Sequence, residues 1–86
     1  MLKIIEKYIN NLKIEDLNNM CVKNNLYLSN DELKFSYNFI KKNWKTYLNN
    51  PNSLILDKYK SHYSDDNFIK IKQLYTFYFK KYSHFL

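Results

Sequence analysis

Along most of this chain, apolar residues return every third or fourth position, the period of helices that bury one face. The clearest run lies between Leu26 and Leu48, where Leu33, Tyr37, Ile40, Trp44 and Leu48 form one stripe over about five turns. Ser29-Asn30-Asp31-Glu32 marks its start: the Ser29 hydroxyl can accept from the Glu32 amide while the Glu32 carboxylate reaches back to the Ser29 amide. Asp31 and Glu32 also set negative charge against the positive end of the helix dipole. Pro51, just past Asn49-Asn50, ends the run, because a proline ring clashes with the turn before it. The pattern predicts a helix over 30–48.

Four more segments follow the same logic. Ile4, Ile5, Tyr8, Ile9 and Leu12 share a face and predict a helix over 3–12. Glu15 and Asp16 open a second helix over 15–24, with Leu17, Met20 and Cys21 facing inward, and Asn24-Asn25 can close it because Asn tolerates the left-handed conformation. Leu26-Tyr27-Leu28 is too short for a strand of its own and is expected to cross in extended form, burying Leu26 and Leu28. After the loop Asn49 to Ser53, the spacing of Leu56, Tyr59 and Tyr63, with Asp57 early, predicts a short helix over 54–63. Ser64 caps the last helix, over 65–84, with Asp65 and Asp66 in its first turn. Phe68, Ile71, Tyr75, Tyr78, Phe79, Tyr82 and Leu86 fill its apolar arc, and Leu74 and Phe77 fall outside the centre of that arc. No linker or internal repeat interrupts the pattern. The expected architecture is all-α, a single small bundle of about five helices forming one domain over 1–86.

Composition sharpens this picture in three places. Hydrophobic residues make up 45% of the chain and charged residues 26%, the balance of a folded domain rather than a disordered tail. The net charge of +6 invites a nucleic-acid, membrane-surface or acidic partner. Lys, Asn, Ile, Tyr and Phe all have AT-rich codons, however, so part of the lysine excess follows nucleotide bias. Arginine is absent although it too has AT-rich codons, and arginine is the usual bidentate reader of guanine, so sequence-specific major-groove reading is disfavoured. The single cysteine, Cys21, cannot pair within the chain, which fits a reducing, cytoplasmic setting. No stretch approaches the roughly 18 uncharged apolar residues of a spanning helix, so no membrane is expected. Glu6 and Lys7 interrupt the apolar N-terminus, which therefore does not read as a signal peptide.

Candidate chemistry is sparse. Glu15-Asp16, Asp31-Glu32 and Asp65-Asp66 each sit in the first turn of a predicted helix, where capping and the dipole account for them. Neighbouring side chains on a helix also diverge by about 100°, so such a pair does not converge on one substrate atom. His62 and His84 lack ligand partners at metal-site spacing. Cys21 lies on an apolar side without an activating base, and a chain without glycine has no Gly-rich phosphate loop. The reading is a protein that is not an enzyme and needs no catalytic residue, cofactor or metal. Trp44 belongs to the stripe and is expected in the core.

Two features point to binding. Sixteen aromatic residues exceed what so small a domain buries, so some are expected at a protein interface or in self-association. Lys34, Lys41 and Lys45 share one side of the central helix, and Lys70 and Lys81 share a side with Leu74 and Phe77 on the last. A basic face holding an aromatic ring can track phosphates and stack on a base, and the competing reading is a solvated lysine face.

Residues 14–44, with Leu17, the apolar Leu26 and Leu28 in the crossing, Ser29 at the next cap and Leu33 after it, resemble a SAP-like helix–extended loop–helix module. That resemblance implies DNA binding. The glycine of that family's connection is missing here, and the second helix is longer. Over nearly the whole chain, NNLYLSNDEL, FIKKNW, LNNPNSL followed by DKYK, and NFIKIKQLYTFYFKKYSHFL resemble a family of short proteins of low-GC Gram-positive bacteria with no established activity. This second likeness implies a bacterial cytosolic setting and carries no functional residues. The expected function is a non-catalytic protein-interaction module with an unidentified protein partner or a second copy. The alternative is nucleic-acid binding through a face comprising Lys34, Lys41, Lys45, Lys70, Phe77 and Lys81.

Overall fold

A computed structural model describes the backbone of residues 2–82 and the side chains of residues 3–50 and 52–77. The fold is all-α, with no strand among the described residues. Helices α1 (Leu2–Asn11), α2 (Ile14–Lys23), α3 (Asn30–Asn49) and α4 (Asp65–Tyr82) are joined by short connections, with two 3-10 segments, Pro51–Ser53 and Leu56–His62, between α3 and α4. The chain divides into two compact units, the first ending at Trp44 and the second starting at Lys45, so the division falls inside α3.

In the first unit, local chemistry sets the helix ends. The Asp16 carboxylate accepts from the Lys13 amide at 2.9 Å and starts α2. Its end is a full Schellman closure: Asn25 takes φ 60°, its amide donates to the Val22 carbonyl, and the Leu26 amide donates to the Cys21 carbonyl. The turn delivers Leu26 into the core, where Leu12, Leu17 and Leu26 are the buried apolar residues of this unit among the described ones. Ser29 and Glu32 form the reciprocal cap of α3, the Ser29 amide donating to Glu32 Oε1 at 2.8 Å and the Glu32 amide to Ser29 Oγ at 3.2 Å. Those bonds let Glu32 be the only buried charged residue among the described ones. Along the α3 stripe, Leu33, Tyr37, Ile40, Trp44 and Leu48 are half-buried, so Trp44 is not enclosed as expected.

In the second unit, Ser64 Oγ accepts from the Asn67 amide at 3.2 Å and caps α4, and Phe68 in the next turn is buried. The short helix expected over 54–63 is present as a 3-10 helix, Leu56–His62, packed against α4. Its amides bond three residues back, as in Lys58 to Ile55 and Tyr63 to Lys60, both at 3.2 Å. Two features explain this winding. Ile55 at the N-cap has no side-chain acceptor to start an α-turn, and Ile55 and Tyr63 hold the backbone extended at both ends of the segment. A 3-10 helix rises about 2.0 Å per residue against about 1.5 Å for an α-helix, and it brings Leu56 and Tyr59 onto the same side. Tyr59 then reaches Tyr47, their hydroxyl oxygens 3.3 Å apart, and Asp57 pairs with Lys72 at 3.0 Å. Lys72 also lies over the Phe68 ring, 5.6 Å from its centre.

Candidate functional site

Helix α1 carries more apolar side chains than its own buried face takes up. Ile5 and Ile9 are half-buried and lead to buried Leu12, one step apart on the face that meets the rest of the unit. Ile4 and Tyr8 lie about 100° away from Ile5 and Ile9 round the helix and are 74% and 55% exposed. The spacing puts them on one broad face with Ile5, Ile9 and Leu12, and the structure covers only part of that face. Met20 on α2, expected inward, is 46% exposed, and the Tyr8 hydroxyl donates to its Sδ at 3.4 Å. Ile4, Tyr8 and Met20 thus form an apolar strip across two helices. Periodicity assigned α1 a broad apolar arc, and the signal that could have revealed the strip is that the arc holds two parallel stripes, where a small core needs one.

Beside the strip runs an open cleft of about 510 Å³, lined by Tyr8, Asn11, Leu12, Asp16, Asn19, Met20 and Lys23. Its chemistry is that of an interface: an apolar centre at Tyr8 and Met20, amides at Asn11 and Asn19, an acid at one end and a lysine at the other. Only Leu12-Lys13 separates α1 from α2, which keeps the two helices close enough for Tyr8 to reach Met20.

The lysine face proposed on α3 is not kept together. Lys41 is half-buried, and its Nζ donates to the carbonyls of Ile9 and, at 3.2 Å, Asn10, at the C-terminal end of α1. Tyr37, one turn earlier, donates its hydroxyl to the Leu12 carbonyl at 2.8 Å. These carbonyls lie at or just past the C-terminal end of α1, where a cation faces the negative end of the helix dipole, so Lys41 caps α1, sharing the Ile9 carbonyl with the Leu12 amide. Lys34 and Lys45 are exposed. On α4, Lys70 and Leu74 are half-buried, Phe77 is exposed, and the side chain of Lys81 lies outside the described residues, as do those of Tyr78, Phe79 and Tyr82. His84 and Leu86 lie outside them altogether.

The acidic pairs are split as helix-start chemistry requires: Asp16 and Glu32 make caps, while Glu15, Asp31, Asp65 and Asp66 are exposed in first turns. Among the described residues no three of His, Cys, Asp and Glu gather where a metal ion could be held, and no helix is long and apolar enough to cross a membrane. Cys21 is half-buried, and burial pushes its thiol above the ordinary value of 9.0. This is opposite to the direction that would activate a nucleophile. No protein-family model matches the chain, and no match is found to a curated protein or a solved structure.

Proposed function

We propose that this chain is a non-catalytic protein-interaction module whose working surface is the apolar strip Ile4–Tyr8–Met20 with the cleft beside it. One observation carries the reading: three large apolar side chains, each about half or more exposed, converge from two helices instead of being scattered singly. Tyrosine and methionine are the residue types that interfaces favour, tyrosine for area at little entropic cost and methionine for adaptable packing. The lone Cys21 supports a reducing, cytosolic setting, and the likeness to short proteins of low-GC Gram-positive bacteria belongs to the same proposal.

The test is photo-crosslinking in cells, with a benzophenone amino acid replacing Tyr8 and, as a control, replacing Lys58 in the second unit. A discrete adduct through position 8 and none through position 58 is expected. Silence at position 8 would leave the strip without a partner and end this reading.

Nucleic-acid binding is the second reading, and it rests on the second unit. From Lys45 onward the chain has seven lysines against three aspartates, and Lys45, Lys58 and Lys60 are exposed. The diversion of Lys41 into a helix cap removes the centre of the other basic face. Titration of labelled single-stranded and duplex DNA and RNA at low and moderate salt decides it: absence of binding at low salt rejects it, because phosphate contacts strengthen steeply as salt falls.

A further inference from the structure

We propose that the partner of the Ile4–Tyr8–Met20 strip is a second copy of this chain, related by a two-fold axis passing beside Asn19 and Met20, with Asp16 of each copy opposite Lys23 of the other. The inference rests on the interaction reading above and names its partner. It comes from the order of side chains along the exposed edge of α2. Asp16, Asn19, Met20 and Lys23 line the cleft together. Asp16 and Lys23 are two turns apart, about 10 Å along the helix axis, and Asn19 and Met20 fall at the midpoint between them.

A surface with an acid at one end, a base at the other and an apolar centre is complementary to itself when rotated by half a turn. The rotation exchanges the ends, so both copies set acid against lysine, and Met20, beside the axis with Tyr8 against it, meets its own equivalent. This is the isologous pairing of closed dimers. An acidic or a basic foreign partner would suit a face of one charge sign, and this face carries one of each. Asp16 and Lys23 are both exposed, and among the described residues neither makes an ion pair within its own chain. The Asp16 bond to the Lys13 amide uses one carboxylate oxygen. The net charge of +6 on each copy opposes association at low ionic strength, so pairing is favoured once about 0.15 M salt screens that repulsion while the short-range contacts remain.

Sedimentation equilibrium at that ionic strength, over micromolar to millimolar protein, tests the pairing. A species of twice the 10.6 kDa of one chain is expected to grow with concentration. Tyr8→Glu in the centre should raise the dissociation constant at least tenfold with the helical circular dichroism spectrum unchanged. Lys23→Glu and Asp16→Lys should each weaken self-pairing, and mixing the two should restore a dimer, because each mixed contact again opposes unlike charges. Asp16→Lys also removes a helix cap, so a second measurement stands apart from it. In a Cys21→Ser background, Asn19→Cys sits beside the axis and should link to its equivalent under mild oxidation, whereas Lys7→Cys should not. A chain that stays monomeric at millimolar concentration, or a dimer indifferent to Tyr8→Glu and to the charge exchange, overturns the proposal. If the position-8 photo-crosslink in cells gives a discrete adduct of some other mass, self-pairing fails while the interaction reading stands. If it gives none and the chain is monomeric, both fail.

Discussion

Lys41 stands over the Tyr37 ring, its ammonium nitrogen 5.4 Å from the ring centre, and the two side chains together close the C-terminal end of α1. Helix α1 has no basic residue in its own last turn, so the positive charge that its dipole favours there arrives from α3, one turn beyond the tyrosine. Because the contact is partly buried, it belongs among the stronger side-chain-to-backbone bonds.

Lys41→Met keeps the aliphatic stem and removes the donors. It is expected to cost about 1–2 kcal/mol, a fall in Tm of about 4–8 °C for each kcal/mol in a chain of this size. Tyr37→Phe should cost about 1 kcal/mol through the lost bond to the Leu12 carbonyl. Lys34→Met, at an exposed position on the same helix, should stay within about 0.5 kcal/mol of the parent. Thermal denaturation followed by circular dichroism compares the three. If Lys41→Met melts with Lys34→Met, the cap contributes nothing.

The Ser29–Glu32 cap makes a second quantitative demand. Ser29→Ala removes the acceptor for the Glu32 amide and should cost about 1 kcal/mol, whereas Ser29→Thr retains the hydroxyl and should recover most of it. Urea midpoints for the two variants, measured together, separate loss of the cap from a general intolerance of substitution.

Alkaline stability has a definite sign. Burial raises the Cys21 thiol above 9.0, and the Tyr47 phenol is raised above 10.0, first by its hydrogen bond with Tyr59, then by burial and by the charge the partner would carry. In each case the folded pKa lies above the unfolded one. Between the two values the folded chain therefore holds more protons than the unfolded chain, and stability falls as pH rises. The contributions are complete below pH 9 and are lost in turn as pH climbs through the Cys21 window and then, above 10, the Tyr47 window. Urea midpoints from pH 7 to 11 should show this decline, with Cys21→Ser flattening its first part and Tyr47→Phe its second. The same thiol should react more slowly with a disulfide reagent at pH 8 than a free cysteine does.

Two adjacent residues of α4 should behave oppositely. Phe68 is 5% exposed and Ile69 56%. Phe68→Ala is expected to cost about 3–5 kcal/mol, enough to loosen the second unit, while Ile69→Ala should change stability by no more than about 0.5 kcal/mol. Amide exchange along α4 in the two variants reads the difference directly.

Among the described residues the helix ends were legible in the sequence to within a residue or two, the end expected at 84 lying outside them. The acceptors at Ser29 and Ser64, the carboxylate at Glu32 and the left-handed Asn25 act on amides no more than three positions away, so their spacing alone identifies them. The candidate site was not legible. Ile4 and Tyr8 carry the same apolar signal as Ile5 and Ile9, and Met20 the same as Leu17. A broad stripe states how much a helix can bury, and its neighbours decide which edge is covered.

The sequence by itself therefore determined an all-α chain, the positions of its four α-helices, and the roles of the acids in their first turns, because all of these follow from partners within one helical turn. Tertiary structure alone decided that Leu56–His62 winds as a 3-10 helix, that Ile4, Tyr8 and Met20 stay outside, and that Lys41 caps α1 instead of joining a basic face. For Lys41 and its neighbour Tyr37 the bonds responsible join residues 25 to 32 positions apart, from Tyr37 to Leu12 and from Lys41 to Asn10 and Ile9. At such separations the partner is chosen by how helices meet, and lysine, like tyrosine, has a side chain long enough to serve solvent, a ligand or a neighbouring backbone equally well.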